Sequence, residues 1–468
     1  MKKESFKNII LVGLVISSIA LTFNMWMQKK LWPDGYNFFS NITKYLNGSD
    51  YQKKYYLSKE NVSFPKKVVI TNTEKRSLYT HTEQEFQQIM KVVMPAIKDG
   101  ISNAQYIESN VNEWELAIKN TSLYFSYPVA YDYSLFSAIL GLTAPKQTDI
   151  AYIKELLIYT DNEGKNTILF VKDNSTDIIY KTALNTDAQL IDVINGYAIS
   201  DIASLPFSFE LNFDVASDEN IEQNVIIEPT VTIPLIKSSA KTVLCEETSS
   251  IFENTNSRKQ ILEEFSFNTA TANRYRDNND TTVYVDNYGT LKFYTNGILE
   301  YKALDATRGI KLTTNALNTY DSFINGVEFV NRLLTRAVPD GNFDINLSSY
   351  NNNSKNNTVK LTFDYYIDGK EFKYETNKNA ITLEIVDGNL VYYSQLFKTF
   401  TVTGNEVMCP DAIAALDILM ADKARSGEVD ELFIGYARSG ESYLPKWYAK
   451  TADGSTYVIG GDAPNDME

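Results

Sequence analysis

The chain has 468 residues, 44% of them apolar, with 31 Tyr, 24 Phe and a formal net charge of -15. That length suits two or three domains with real cores, and the aromatic content favours strands. The acidic balance argues against nucleic acid or anionic lipid as the main partner of the bulk of the chain. Two distant cysteines, Cys245 and Cys409, make no disulfide framework. They suit free buried thiols, a single bridge being the alternative.

Residues 9–27 form an uncharged apolar run of about nineteen residues. As a helix it spans roughly 28 Å, close to the hydrocarbon thickness of a bilayer. Lys2, Lys3 and Lys7 precede it, and Trp26, Lys29, Lys30 and Trp32 give it an interfacial flank. No second run of this kind occurs. The expectation is a cytoplasmic tail (1–8), one transmembrane helix (9–27) and an extracytoplasmic bulk. The alternative is a cleaved signal peptide cut at Ser18-Ile19-Ala20, which would leave the apolar residues 21–27 as an exposed N-terminus. The three-to-two lysine count favours the N-terminus inside. Gly13, Ser17, Ala20 and Asn24 fall on one face of the helix at 4-3-4 spacing. Small residues let a partner helix approach, and Asn24 offers a polar contact worth about 0.6–2 kcal/mol. A plain anchor is the competing explanation of that face.

A strand begins at Val68-Val69-Ile70. Thr82-Glu83-Gln84-Glu85 has the form of a capping box. Phe86, Ile89, Met90, Val93 and Ile97 follow as an apolar stripe, with Gly100 as the helix end. Strands are expected at 122–125, 152–159, 167–172 and 178–181, and a helix near 187–195. The middle part opens with strands at 225–227 and 230–236. A helix carrying Ile251, Phe252, Ile261, Leu262 and Phe265 comes next, then a meander at 281–285, 290–294 and 298–302. The third part repeats that order: a helix over 318–334, then strands at 358–367, 370–375, 380–386 and 389–400. Pro410 starts another helix, which Lys423, Arg425 and Gly427 end. Strands at 431–436, 444–451 and 456–459 close the chain. Helix-then-meander, twice, suggests two related α+β units.

The fold class is therefore α+β: one N-terminal transmembrane helix, then an elongated extracytoplasmic part of about three mixed α/β domains with antiparallel sheets. The units are 31–208, 209–310 and 311–468.

The sequence nominates no catalytic residue, no cofactor and no metal site. His81 is the one histidine, and its place beside a helix start suits a structural role. There is no Gly-x-Ser-x-Gly, His-Glu-x-x-His, Cys-x-x-Cys or Walker loop. Asp340, Asn342, Asp344 and Asn346 alternate as calcium ligands can, but lack the glycine and closing Glu of an EF-hand loop. A polar turn into a strand explains them better.

Three stretches carry a family resemblance. Lys7-Asn8-Ile9-Ile10 leading to Leu21-Thr22-Phe23-Asn24-Met25-Trp26 resembles the N-terminus of YycH (WalH) proteins. Thr281-Thr282-Val283-Tyr284-Val285-Asp286, with Leu299-Glu300-Tyr301 after it, is similar to the family's Thr-x-Tyr-x-Asp strand. Leu444-Pro445-Lys446-Trp447 is similar to a Leu-x-Pro-x-Trp closing motif shared with the sister protein YycI. The resemblance implies a non-enzymatic, membrane-anchored regulator of the WalK/WalR two-component system of low-GC Gram-positive bacteria. Its implied partners are a WalK-type sensor histidine kinase and a YycI-like protein, reached through the membrane helix. An extracellular ligand-sensing module and an anchored cell-wall hydrolase are the alternatives from other classes.

Overall fold

The computed structural model describes residues 56–460, apart from 58, 82, 103–104, 144–148, 162, 186–188, 212–224, 247–249, 269–271, 278–279, 316, 375–377, 410, 422–426 and 453. The apolar run 9–27 and the face formed by Gly13, Ser17, Ala20 and Asn24 lie outside the described residues. Among the described residues, no helix is long and apolar enough to cross a membrane.

Strand alternation builds the first layer. β1 (Lys67–Asn72), β2 (Lys75–Thr80), β3 (Ile107–Ser109), β4 (Ser122–Asp132), β5 (Tyr152–Thr160), β6 (Thr167–Asp173) and β7 (Ile179–Leu184) form one antiparallel sheet in the order β2-β1-β4-β5-β6-β7-β3. Successive side chains of a strand point to opposite faces. Val68, Ile70, Leu123, Phe125, Leu156, Ile158, Leu169 and Val171 therefore enter the main core. Val69, Tyr124, Leu157 and Phe170 enter a smaller one on the other side. Helix α1 (Gln84–Ser102) covers the main face with Phe86, Ile89, Met90, Val93 and Ile97, the stripe the sequence predicts. Helix α2 (Val111–Lys119) covers the opposite face with Trp114, Ala117 and Ile118.

Gly100 does not end α1, which runs on to Ser102. A Cβ at Gly100 would lie 2.4 Å from Leu169 Cδ2 and 2.9 Å from Leu184 Cδ2. The glycine lets the helix approach the sheet; it does not terminate the helix. Thr82 of the expected capping box lies outside the described residues. Before the helix, Glu83 instead accepts the backbone N–H of Thr80.

The second layer is a larger sheet. Its first half joins β10 (Asn273–Arg276), β11 (Thr282–Val285), β12 (Gly289–Phe293) and β13 (Ile298–Ala303) to β19 (Asn389–Leu396), β18 (Ile381–Val386) and β16 (Thr358–Ile367), with β15 (Asp344–Asn353) beside β16. The two meanders meet at β13 and β19, where Tyr301 pairs with Tyr393. Residues 209–310 and 311–468 thus share one sheet. Helices α5 (Thr255–Glu264) and α6 (Thr319–Ala337) pack against the main core with Ile261, Leu262, Phe323, Val327 and Val330. Asn318 caps α6 by accepting from Tyr320 N and Asp321 N. The same core continues into the first sheet.

The second half carries β17 (Lys370–Phe372), β21 (Gly427–Ser439), β22 (Ser442–Thr451), β9 (Ser239–Cys245) and β20 (Phe400–Met408), with β8 (Val225–Ile227) and β23 (Thr456–Val458) at its margins. Two expected strands change here. Residues 389–400 break into β19 and β20, because Phe397 N bonds to Gly297 O and the chain then pairs with β9. Residues 230–236 form no strand but one bridge, Phe207 to Thr232. Pro234 has no N–H to extend a ladder. Helix α7 (Ala412–Ala421) starts past the expected Pro410, which lies outside the described residues, as do Lys423 and Arg425. Gly427 opens β21 with a positive φ of 117°. α7 buries Ala412, Ala415, Leu416 and Leu419 in a core with Val429, Ala449 and Trp447. Cys245 and Cys409 are free thiols, the second buried and the first partly so.

Candidate functional site

The densest chemistry sits where the open end of the β1–β2 hairpin meets β16, β17 and β21. Lys66 precedes β1, Lys67 opens it, and Thr80 pairs with Lys67 across the ladder. His81 follows at once. Tyr366 is the last residue but one of β16, Glu371 lies in β17 and Glu431 in β21.

Buried charges must be paired, and most of these are. Lys66 Nζ lies 2.5 Å from Glu431 and 3.6 Å from Glu371. Tyr366 donates its hydroxyl to Glu371 at 2.9 Å. Lys373 lies 2.8 Å from Glu371 and 2.6 Å from Asp364. Burial alone would raise Glu371, but Lys373 and then Lys66 hold it down at about 2. Burial likewise works against Glu431, yet Lys66, Lys450 and Lys67 keep it below the usual carboxylate range. Burial would lower Lys66; Glu431, Tyr366 and Glu371 outweigh it and hold the ammonium well above its ordinary value. Neither glutamate is poised to give a proton as a general acid.

His81 is pushed down to about 4, mainly by burial. A neutral ring is therefore held at neutral pH. It bonds to the backbone of Lys66, its Nε2 lies 2.8 Å from the Asn346 side-chain amide, and it stands edge-on to Tyr366. His81 is structural, and Asn346 of the candidate calcium set is spent on this contact. Asp344 opens β15, so that set is a turn entering a strand.

These groups border a cavity of about 210 Å³. Its polar wall includes Lys66, Lys67, Glu371, Glu431 and Thr232, and its apolar wall includes Leu78, Pro234, Phe433, Ile434 and Trp447. Trp447, from the closing motif, is 5% exposed and joins this wall to the core beneath α7.

Two further ion clusters tie the sheets together. Lys154 of β5 lies 2.5 Å from Asp430 of β21. Lys172 of β6 pairs with Glu228 and, at 3.6 Å, with Glu155, which also accepts from the hydroxyls of Tyr124 and Thr230. Among the described residues, no group of three His, Cys, Asp or Glu side chains is placed to hold a metal.

Sequence reasoning named none of Lys66, Lys67, Glu371 or Glu431. Each is a residue type that is ordinarily solvated. The one local hint was Pro65-Lys66-Lys67-Val68, two lysines entering a buried strand.

Residues 4–197 match the family model described as the YycH protein, N-terminal domain. A similar solved structure is the crystal structure of YycH from Bacillus subtilis, with a TM-score of 0.56 at 11% identity, covering 86% of this chain and 97% of that one. No curated protein sequence matches the chain. The N-terminal part of the chain thus matches the YycH N-terminal domain, and the fold of the whole is similar to that of the Bacillus subtilis protein.

Proposed function

We propose that this chain is a membrane-anchored, non-enzymatic regulator of a WalK-type sensor histidine kinase. It acts with a YycI-like protein, through contacts between transmembrane helices. The observation that carries this reading is the family match over residues 4–197, which takes in the apolar run 9–27. The anchor is uncleaved, the N-terminus cytoplasmic and the bulk extracytoplasmic. The message passes along the helix, by contact between neighbouring helices. Gly13, Ser17, Ala20 and Asn24 form the contact face. The test is site-specific crosslinking from position 13 or 17 in native membranes, with mass spectrometry of the mature N-terminus. Adducts to the kinase and the sister protein support the reading. A mature chain beginning at Leu21, or no adduct to either protein, overturns it.

A second reading, a sensing module for an external ligand, has the cavity beside Lys67 in its favour.

A further inference from the structure

Among the described residues, Lys67 is the cavity cation with no carboxylate at ion-pair distance. Lys66 is held by Glu431 and Glu371, and Lys373 by Asp364 and Glu371. Lys67 Nζ donates to Thr232 Oγ1 at 3.2 Å, and among the described residues no carboxylate lies within 4 Å of it. An ammonium has three donors, so Lys67 has capacity left beside an empty space. Burial holds its pKa below the ordinary value, outweighing the pull of Glu431, which lies beyond ion-pair distance.

The rest of the wall narrows the ligand. Phe433, Ile434 and Trp447 ask for an apolar or aromatic body. Glu371 and Glu431 border the same space and are kept ionised by their lysines. They would repel a second negative charge, which disfavours a dianionic phosphate. Because both are already paired with Lys66, they offer little to a ligand amine. At about 210 Å³ the space is smaller than ordinary ligand pockets of roughly 300–1,000 Å³. It takes a body about the size of one amino-acid residue. The exposed turn residue Gly369 borders it.

We propose that this cavity binds a small amphiphilic monoacid, its carboxylate on Lys67 and Thr232 and its apolar body against Phe433, Ile434 and Trp447. Such a carboxylate belongs either to a free acid or to the C-terminal residue of a peptide. The proposal stands whether or not the chain regulates a kinase.

Calorimetric titration of the full-length chain tests it. The probes are N-acetyl-L-phenylalanine, its amide, and the tetrapeptide Gly-Gly-Gly-Phe. The acid is expected to bind one site per chain and the amide at least tenfold more weakly. Binding by the tetrapeptide assigns the site to peptide ends; binding by the acid alone assigns it to free acids. Lys67→Met should weaken acid binding at least tenfold while keeping the melting temperature at or above that of the wild type. Thr232→Val should weaken it less. Saturable binding by neither acid, equal binding of acid and amide, or wild-type affinity in Lys67→Met overturns the proposal. Should Lys67→Met fail to fold, the acid-against-amide comparison on the wild type decides alone.

Discussion

His81 Nε2 meets the side-chain amide of Asn346 at 2.8 Å, and this contact fastens the end of β2 to β15 across the junction of the two sheets. With Asn346 donating to Nε2 and the backbone of Lys66 engaging the ring, the neutral imidazole is the stable form.

That arrangement sets an acid sensitivity. The His81 pKa falls from 6.5 to about 4 on folding. Between those values the unfolded chain binds a proton that the native chain does not, so stability is full above pH 6.5 and declines as pH falls toward 4. The loss is on the order of 3 kcal/mol by the end of that window. Melting curves from pH 7.5 to 4.5 should show a falling midpoint for the wild type and a flatter profile for His81→Gln. Parallel profiles would refute the assignment. Glu371, lowered from 4.5 to about 2, loses its contribution between those values and so overlaps only the acid edge of this window; it does so equally in the wild type and in His81→Gln, and the comparison of the two isolates the histidine.

Asp364 is 1% exposed and accepts from Lys373 at 2.6 Å, Ser348 at 2.6 Å, Asn379 at 3.0 Å and the backbone of Ala380 at 3.1 Å. Asp364→Ala leaves the buried Lys373 ammonium with Glu371 alone and takes the acceptor from Ser348, Asn379 and Ala380, and should cost about 3–5 kcal/mol in urea unfolding. Lys165 and Glu163 form a pair whose side chains are 74% and 70% exposed. Lys165→Ala should cost under about 0.5 kcal/mol. Equal costs for the two variants would contradict this account.

Gly100→Ala is a third test. In a helix interior alanine normally gains up to about 1 kcal/mol over glycine. Here the added methyl meets Leu169 and Leu184 at less than 3 Å. The expected outcome is a net destabilisation of about 1–3 kcal/mol from overpacking. A stabilised variant would show that α1 can move away from the sheet at little cost.

The contact face in the proposed membrane helix is tested by a double substitution, Gly13→Leu with Ser17→Leu. Leucine favours the bilayer, so insertion should persist. Close backbone approach should be lost, and crosslinking to the kinase and sister protein should drop with it. Asn24→Leu should have a smaller effect. Wild-type crosslinking and regulatory output in the double variant would reduce this face to an anchor and move the interaction to the extracytoplasmic part.

Local pattern was enough for much of the fold. The stripe from Phe86 to Ile97, the helix beginning near Asn318 and the meander strands all follow from short-range chemistry, and the structure holds them where the spacing puts them. The break at Phe397 was hidden, because its cause is a backbone bond to Gly297, about a hundred residues away. Gly100 was misjudged for a similar reason: the same residue type ends helices and permits close packing, and only its neighbours tell which.

The sequence by itself determined the apolar run 9–27, the antiparallel α+β character and the likeness of residues 4–197 to the YycH N-terminal domain, since these rest on periodicity and on motifs of adjacent residues. Only the tertiary structure decided that Lys66, Lys67, Glu371 and Glu431 share one cavity, and that His81 is held neutral. A lysine or glutamate in sequence is equally compatible with solvent or with a core. Its environment is set by strands hundreds of residues apart, and burial, which perturbs the charge, exists only once those strands have met.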